Sequence, residues 1–145
     1  MKEILLVEDS DTDAEALGCA LRLLGIVNPV RRLCDGTEAM EYLVRAEKVA
    51  AVGPPLPSVL LLDIGLPGVT GFEILEYLQN RPAFAAMLKV VLSQIQDIHK
   101  IKRGYELGAH SFLSKPVNQR ELHDLITGFP SHWLLSGGSA QRVGV

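Results

Sequence analysis

No segment of this chain stays apolar for the roughly 18 residues that a membrane-crossing helix needs, so no such span is expected. The N-terminus runs directly into KEILLVED, without the apolar core and cleavage site of a secretory signal. A basic excess is also lacking: 14 Lys and Arg stand against 17 Asp and Glu, a net charge of −3, which argues against a nucleic-acid surface. The short basic groups, Arg31-Arg32 and Lys100, Lys102 and Arg103, read as solvated faces. Cysteine is scarce, and Cys19 and Cys34 show neither metal-ligand spacing nor a disulfide framework. They read as small buried side chains in a reducing compartment. These absences point to a cytoplasmic protein that contacts neither membrane nor nucleic acid.

What the chain does have is a regular alternation. Its 145 residues, 48 % hydrophobic and 21 % charged, suit a domain with a real core. EILLVE (3–8) reads as a buried strand β1. A helix α1 follows from Ser10 to Gly25, with Ala14, Leu17, Leu21 and Leu24 at helical spacing. Ser10 and Asp13 have the spacing of a capping box. PVRRLC (29–34) reads as β2, DGTEAMEYLVRAEKVA (35–50) as α2, and SVLLLD (58–63) as β3 after the breaker loop GPPLP (53–57). A helix α3 starts near Gly71, LKVVLS (88–93) is β4, and α4 starts at about Asp97. HSFLS (110–114) is β5, and Asn118 with Glu121 frames the start of α5. Five β-α units imply a five-stranded parallel, doubly wound (βα)5 sheet in a three-layer α/β/α arrangement. The strands are continuously apolar, as a sheet covered on both faces requires.

In such a sheet, ligands sit beyond the carboxyl ends of the strands. Those ends carry Glu8-Asp9, Asp63, Ser93 and Lys115-Pro116. Taken singly, the acids fit helix starts or loop caps and Lys115 fits a solvated lysine. Taken together they form one polar edge. Three carboxylates in a partly desolvated pocket stay ionised only around a cation, and an all-oxygen set suits a hard divalent ion such as Mg2+. An aspartate there can act as nucleophile toward phosphorus, with lysine and hydroxyl donors for the phosphoryl oxygens.

The motifs LLVEDS, LLLDIGLPGVTG, VVLS and FLSKP, in that order and at these separations, resemble the receiver domain of bacterial two-component response regulators over about residues 2–130. The resemblance implies a flavodoxin-like receiver in which Asp63 accepts a phosphoryl group from a sensor histidine kinase or phosphotransfer protein. Glu8, Asp9, Asp63 and the backbone carbonyl of Gly65 would hold Mg2+, or Mn2+ in its place. Ser93 and Lys115 would bind phosphate, Phe112 would be the aromatic switch, and Pro116 would follow a cis peptide bond. Its output would be a protein contact through the α4-β5-α5 face, including a homodimer, with Tyr105 and Trp133 as interface candidates. The protein would be a phosphoacceptor rather than an enzyme, beyond self-catalysed phosphotransfer and autodephosphorylation. The chain also resembles the single-domain regulators of phytochrome-type sensor kinases.

Some positions depart from the family pattern. Thr70 stands where Asp or Asn is frequent, a change of loop capping. Gly65 and Ile95, two residues past Asp63 and Ser93, bear on how readily water reaches the phosphoryl group, and Gln94 narrows access. The expected boundaries are a receiver over 1–130 and an extension over 131–145, partly helical then flexible, with no output domain. Trp133 in that extension reads as a cover for the bottom of the core. Three other classes compete with this reading. An aspartyl phosphatase of the haloacid-dehalogenase type needs an acid where Gly65 stands, and a flavodoxin-like cofactor binder needs a phosphate cradle that the loops lack. A receiver-like adaptor working without phosphorylation keeps every residue and is separated only by experiment. His99, His110, His123 and His132 share no metal spacing.

Overall fold

The computed structural model describes residues 2–53, 55–94 and 97–136. The elements run β1 (Ile4–Val7), α1 (Asp11–Leu23), β2 (Val30–Leu33), α2 (Gly36–Lys48), β3 (Val59–Asp63) and α3 (Gly71–Leu78). A 3-10 turn (Pro82–Phe84) then leads to β4 (Leu88–Ser93), α4 (Ile98–Glu106), β5 (Ser111–Ser114) and α5 (Gln119–Gly128), with a second 3-10 turn at Pro130–His132. All five strands are parallel, in the order β2-β1-β3-β4-β5. This is the five-stranded doubly wound sheet expected from the alternation and the flavodoxin-like receiver fold that the resemblance implies.

Successive strand residues point to opposite faces, and both faces are covered. Ile4, Leu6, Val59, Leu61, Val90 and Leu92 pack with Leu17, Leu21, Leu122, Leu125 and Ile126 on α1 and α5. Leu5, Val7, Leu60, Leu62 and Val91 pack with Ala39, Leu43, Ile74, Leu75 and Leu78 on α2 and α3. Two-sided burial is why the central strands lack polar alternation. The edge strand β2 differs: Val30 and Arg31 are exposed, because nothing pairs with its outer side.

Local signals explain the helix starts. Thr70 and Glu73 form a full capping box at α3, so Thr70 serves as the expected cap. Two expected boxes are only half made. Ser10 accepts from the Asp13 N–H at 3.2 Å and Asn118 accepts from the N–H groups of Arg120 and Glu121. The acids do not reciprocate, because Asp13 turns to Lys115 and Glu121 accepts from the Ser114 hydroxyl. Both cysteines are exposed rather than buried, Cys19 on the outer side of α1 and Cys34 just past the edge strand.

Beyond α5 the chain folds back under the sheet. Leu135 makes an antiparallel bridge to Ile26, and the Asn28 amide donates to the carbonyls of Lys2 and His132. Trp133 is 5 % exposed within the α1/α5-side core, as a covering residue should be. Among the described residues, the 3-10 turn at Pro130–His132 supplies the helical part expected there. The expected flexible end, residues 137–145, lies outside the described residues, as does Ile95.

Candidate functional site

Strand register assembles the site. Val7 lies opposite Leu62, so the next residues, Glu8 and Asp63, emerge side by side between β1 and β3. The strand order reverses there, which opens a crevice. Ser93 pairs with Ser114, which places Lys115 one residue beyond, its N–H on the Ser93 carbonyl at 3.0 Å. Asp9, Asp63, Ser93 and Lys115 all line one cavity of ≈ 620 Å³, with Gly65 and Gln94 at its walls.

The cavity is organised around one ammonium. Lys115 Nζ lies 2.9 Å from Glu8 Oε1, 2.9 Å from Asp63 Oδ2 and 3.0 Å from Asp13 Oδ2, so all three of its donors are engaged. Burial opposes its charge, but hydrogen bonds to Glu8, Asp63 and Asp13 outweigh that and hold its pKa above the ordinary lysine value. Glu8 is 1 % exposed, and burial pushes its carboxyl up despite the Lys115 hydrogen bond. Asp63 keeps its second oxygen on the backbone, Oδ1 accepting from the Gly65 N–H at 2.8 Å. Glu8, Asp9 and Asp63 each offer a carboxylate oxygen within 4.8 Å of the others. That all-oxygen set fits a hard divalent cation.

Two glycines set the packing around the nucleophile. A Cβ on Gly71 would come within 2.8 Å of the Ile64 Cα and 2.9 Å of the Asp63 carbonyl, so α3 can start this close to the end of β3 only without a side chain. On α4, a Cβ on Gly104 would meet Phe112 Cζ at 2.4 Å. The tip of the Phe112 ring therefore abuts the α4 backbone at Gly104, the ring half-buried, with Tyr105 beside it at 5.1 Å between centroids. Tyr105 is 48 % exposed and Trp133 is buried at the opposite end of the sheet. The Lys115-Pro116 peptide bond is cis, as expected.

Two residues of the site serve roles other than those the sequence implies. Arg32 is a brace rather than a solvated charge: Nε and Nη2 both donate to the Glu8 carbonyl, at 3.1 and 3.0 Å, and Nη1 pairs with Asp11 at 2.6 Å. The hydrogen bond to Asp11 raises its pKa further. The available signal was an arginine two residues before the end of a strand adjacent to the acidic one. Asp13 was likewise read as a cap and instead serves Lys115.

The model of the response regulator receiver domain family matches residues 4–127. Response regulator Rcp1 of Synechocystis sp. is 32 % identical over 133 residues, covering 92 % of this chain and 89 % of that protein. The solved bacteriophytochrome response regulator RtBRR superposes with a TM-score of 0.78 at 30 % identity, covering 99 % of this chain and 89 % of its own. The Mn2+-bound form of Rcp1 gives a TM-score of 0.70 at 30 % identity, covering 90 % and 93 %. Among the described residues no helix is long and apolar enough to cross a membrane.

Proposed function

The chain belongs to the response regulator receiver domain family, and on that premise we propose that Asp63 is the phosphoacceptor of a two-component phosphorelay. The observation that carries this reading is the Lys115 ammonium, which binds Asp63 Oδ2 and Glu8 Oε1 at the same 2.9 Å beside the exposed acid Asp9. Glu8, Asp9 and Asp63, with the Gly65 carbonyl, are the residues that would hold Mg2+ or Mn2+. A divalent ion there supplies charge neutralisation for the incoming phosphoryl group.

Asp63 Oδ1 is fixed by the Gly65 N–H and Oδ2 by Lys115, so the carboxylate is oriented before a donor arrives. An Asp63 oxygen attacks phosphorus in line, the P–N bond of a donor phosphohistidine breaks, and an aspartyl phosphate forms. Lys115 then exchanges its Asp63 contact for a phosphoryl oxygen, and the Ser93 hydroxyl binds another. Ser93 sits on β4 and Phe112 on the adjacent β5, where Phe112 pairs with Val91. Movement of Ser93 toward the phosphate releases the Phe112 ring toward the core. It lifts the ring off Gly104 and Tyr105 and remodels the α4-β5-α5 face. Exposed Ile98 and Tyr105 on α4 make that face the proposed contact with the kinase or phosphotransfer protein, or with a second copy.

Incubation with acetyl phosphate and Mg2+, followed by intact mass, tests the assignment. The expected result is a single added phosphoryl group, lost in Asp63→Asn and lost on chelation of the metal. No phosphoryl adduct on the wild-type chain under saturating metal and donor refutes phosphoacceptor function and leaves the adaptor reading.

A further inference from the structure

Lys89 is the second residue of β4, at the end of the sheet far from Asp63, and is 7 % exposed. Its Nζ donates to the Phe84 carbonyl at 3.0 Å and the Met87 carbonyl at 3.3 Å. Among the described residues no carboxylate pairs with it. A charged ammonium has three N–H donors and no lone pair, whereas a neutral amine has two donors and a lone pair. Two carbonyls satisfy both donors of the neutral form and leave the charged form one donor short. Burial also lowers the Lys89 pKa.

The side chain borders a cavity of ≈ 310 Å³ whose apolar wall includes Leu78, Pro82 and Leu107. Arg81 also lines it, with its guanidinium over the Tyr77 ring at 4.0 Å to the centroid. Arg81 Nε donates to the Tyr77 carbonyl and Nη1 to Glu47, which fixes the guanidinium, and among the described residues no hydrogen bond engages Nη2. An apolar recess lined by an amine and by an arginine that has, among the described residues, one nitrogen without a hydrogen bond matches a small molecule with an uncharged acyl end and an anionic leaving group.

We propose that Lys89 is an acylation site whose donor is a small acyl phosphate, the acyl group resting against Leu78, Pro82 and Leu107 and the phosphate on Arg81. The Nζ lone pair attacks the acyl carbonyl carbon, and the C–O bond to phosphate breaks. Inorganic phosphate departs with the bonding pair, and the proton shed by Nζ passes to it or to water. The product is a neutral amide on Lys89. This chemistry is separate from that at Asp63, where attack falls on phosphorus rather than carbon, so it does not depend on the phosphoacceptor reading.

The test treats the full chain with acetyl phosphate and, in parallel, with the uncharged reagent N-hydroxysuccinimide acetate, and quantifies each lysine by peptide mass spectrometry. Lys89 is expected to acquire acetyl several-fold faster than the exposed Lys100 and Lys102 with acetyl phosphate. Arg81→Gln is expected to remove that preference for acetyl phosphate while leaving the rate with the uncharged reagent unchanged. Asp63→Asn is expected to acetylate Lys89 at the wild-type rate while losing the phosphoryl adduct, which keeps the two assignments distinguishable. Slower labelling of Lys89 than of Lys100 and Lys102 overturns the proposal. So does an equal fall with both reagents in Arg81→Gln, which would mean that the cavity had merely collapsed.

Discussion

Replacing Lys115 by methionine removes one charge and almost no volume, which isolates the electrostatics of the site. Three hydrogen bonds of 2.9, 2.9 and 3.0 Å disappear, and Glu8 and Asp63 are left facing each other with oxygens within 4.8 Å. At that separation two unit charges repel by roughly 3.5 kcal/mol for an effective dielectric of about 20. Removing one partner of a buried ion pair costs about 3–5 kcal/mol in general. Lys115→Met should therefore lose about 3–5 kcal/mol in urea unfolding with the metal chelated. The loss should also depend on pH. Burial already places the Glu8 pKa above 4.5, and loss of the Lys115 hydrogen bond raises it further. A carboxyl with a raised folded pKa binds more protons folded than unfolded, so its contribution to stability is present below the unfolded value and lost as pH rises through the folded one. The deficit of Lys115→Met should shrink from pH 8 to pH 5. Saturating Mg2+ should stabilise the variant more than the wild type, because the cation replaces the missing charge. A variant as stable as wild type in chelator, or one with a deficit equal at both pH values, refutes the reasoning.

Arg32→Ala removes the two hydrogen bonds to the Glu8 carbonyl, and calorimetric titration should show divalent metal binding weakened roughly tenfold, the scale for residues that orient metal ligands. Arg32→Lys should not restore it, since one ammonium cannot replace the two-pronged contact, and full rescue by lysine would show that charge alone matters. Trp133→Ala should lower stability by about 3–5 kcal/mol as a buried aromatic truncation, while Trp133→Phe should cost far less, since the buried indole Nε1 makes no hydrogen bond. Equal losses for the two, measured in urea, would refute the packing account.

The positions of the phosphoacceptor elements were legible because each lies at a strand end, and strand ends are marked locally. The leucines before Asp63 and the valines before Ser93 fix the strands, and parallel βα connections force their carboxyl ends to one edge. Arg32 and Asp13 were not legible. Their partners are 24 residues away for Arg32 and Glu8, and on another element for Asp13 and Lys115. Periodicity says that Arg32 is on a strand, but only the pairing of β2 with β1 says that it reaches Glu8. The cysteines failed for a related reason: an apolar stretch does not state which side of α1 carries Cys19, nor that Cys34 follows a strand at the sheet edge.

The sequence by itself determined the five β-α units, the edge where the polar residues collect, and the family to which the chain belongs. It did so because burial on both sheet faces leaves a continuous apolar signal and because functional groups interrupt it at fixed points. The tertiary structure decided how the charges are shared: one lysine among three carboxylates, an arginine bracing a backbone carbonyl, and a second lysine buried against two carbonyls with no acid paired to it among the described residues. Charge sharing depends on distances of a few ångströms between residues remote in the chain. Coulomb energy and desolvation change steeply over those distances, and no local pattern records them.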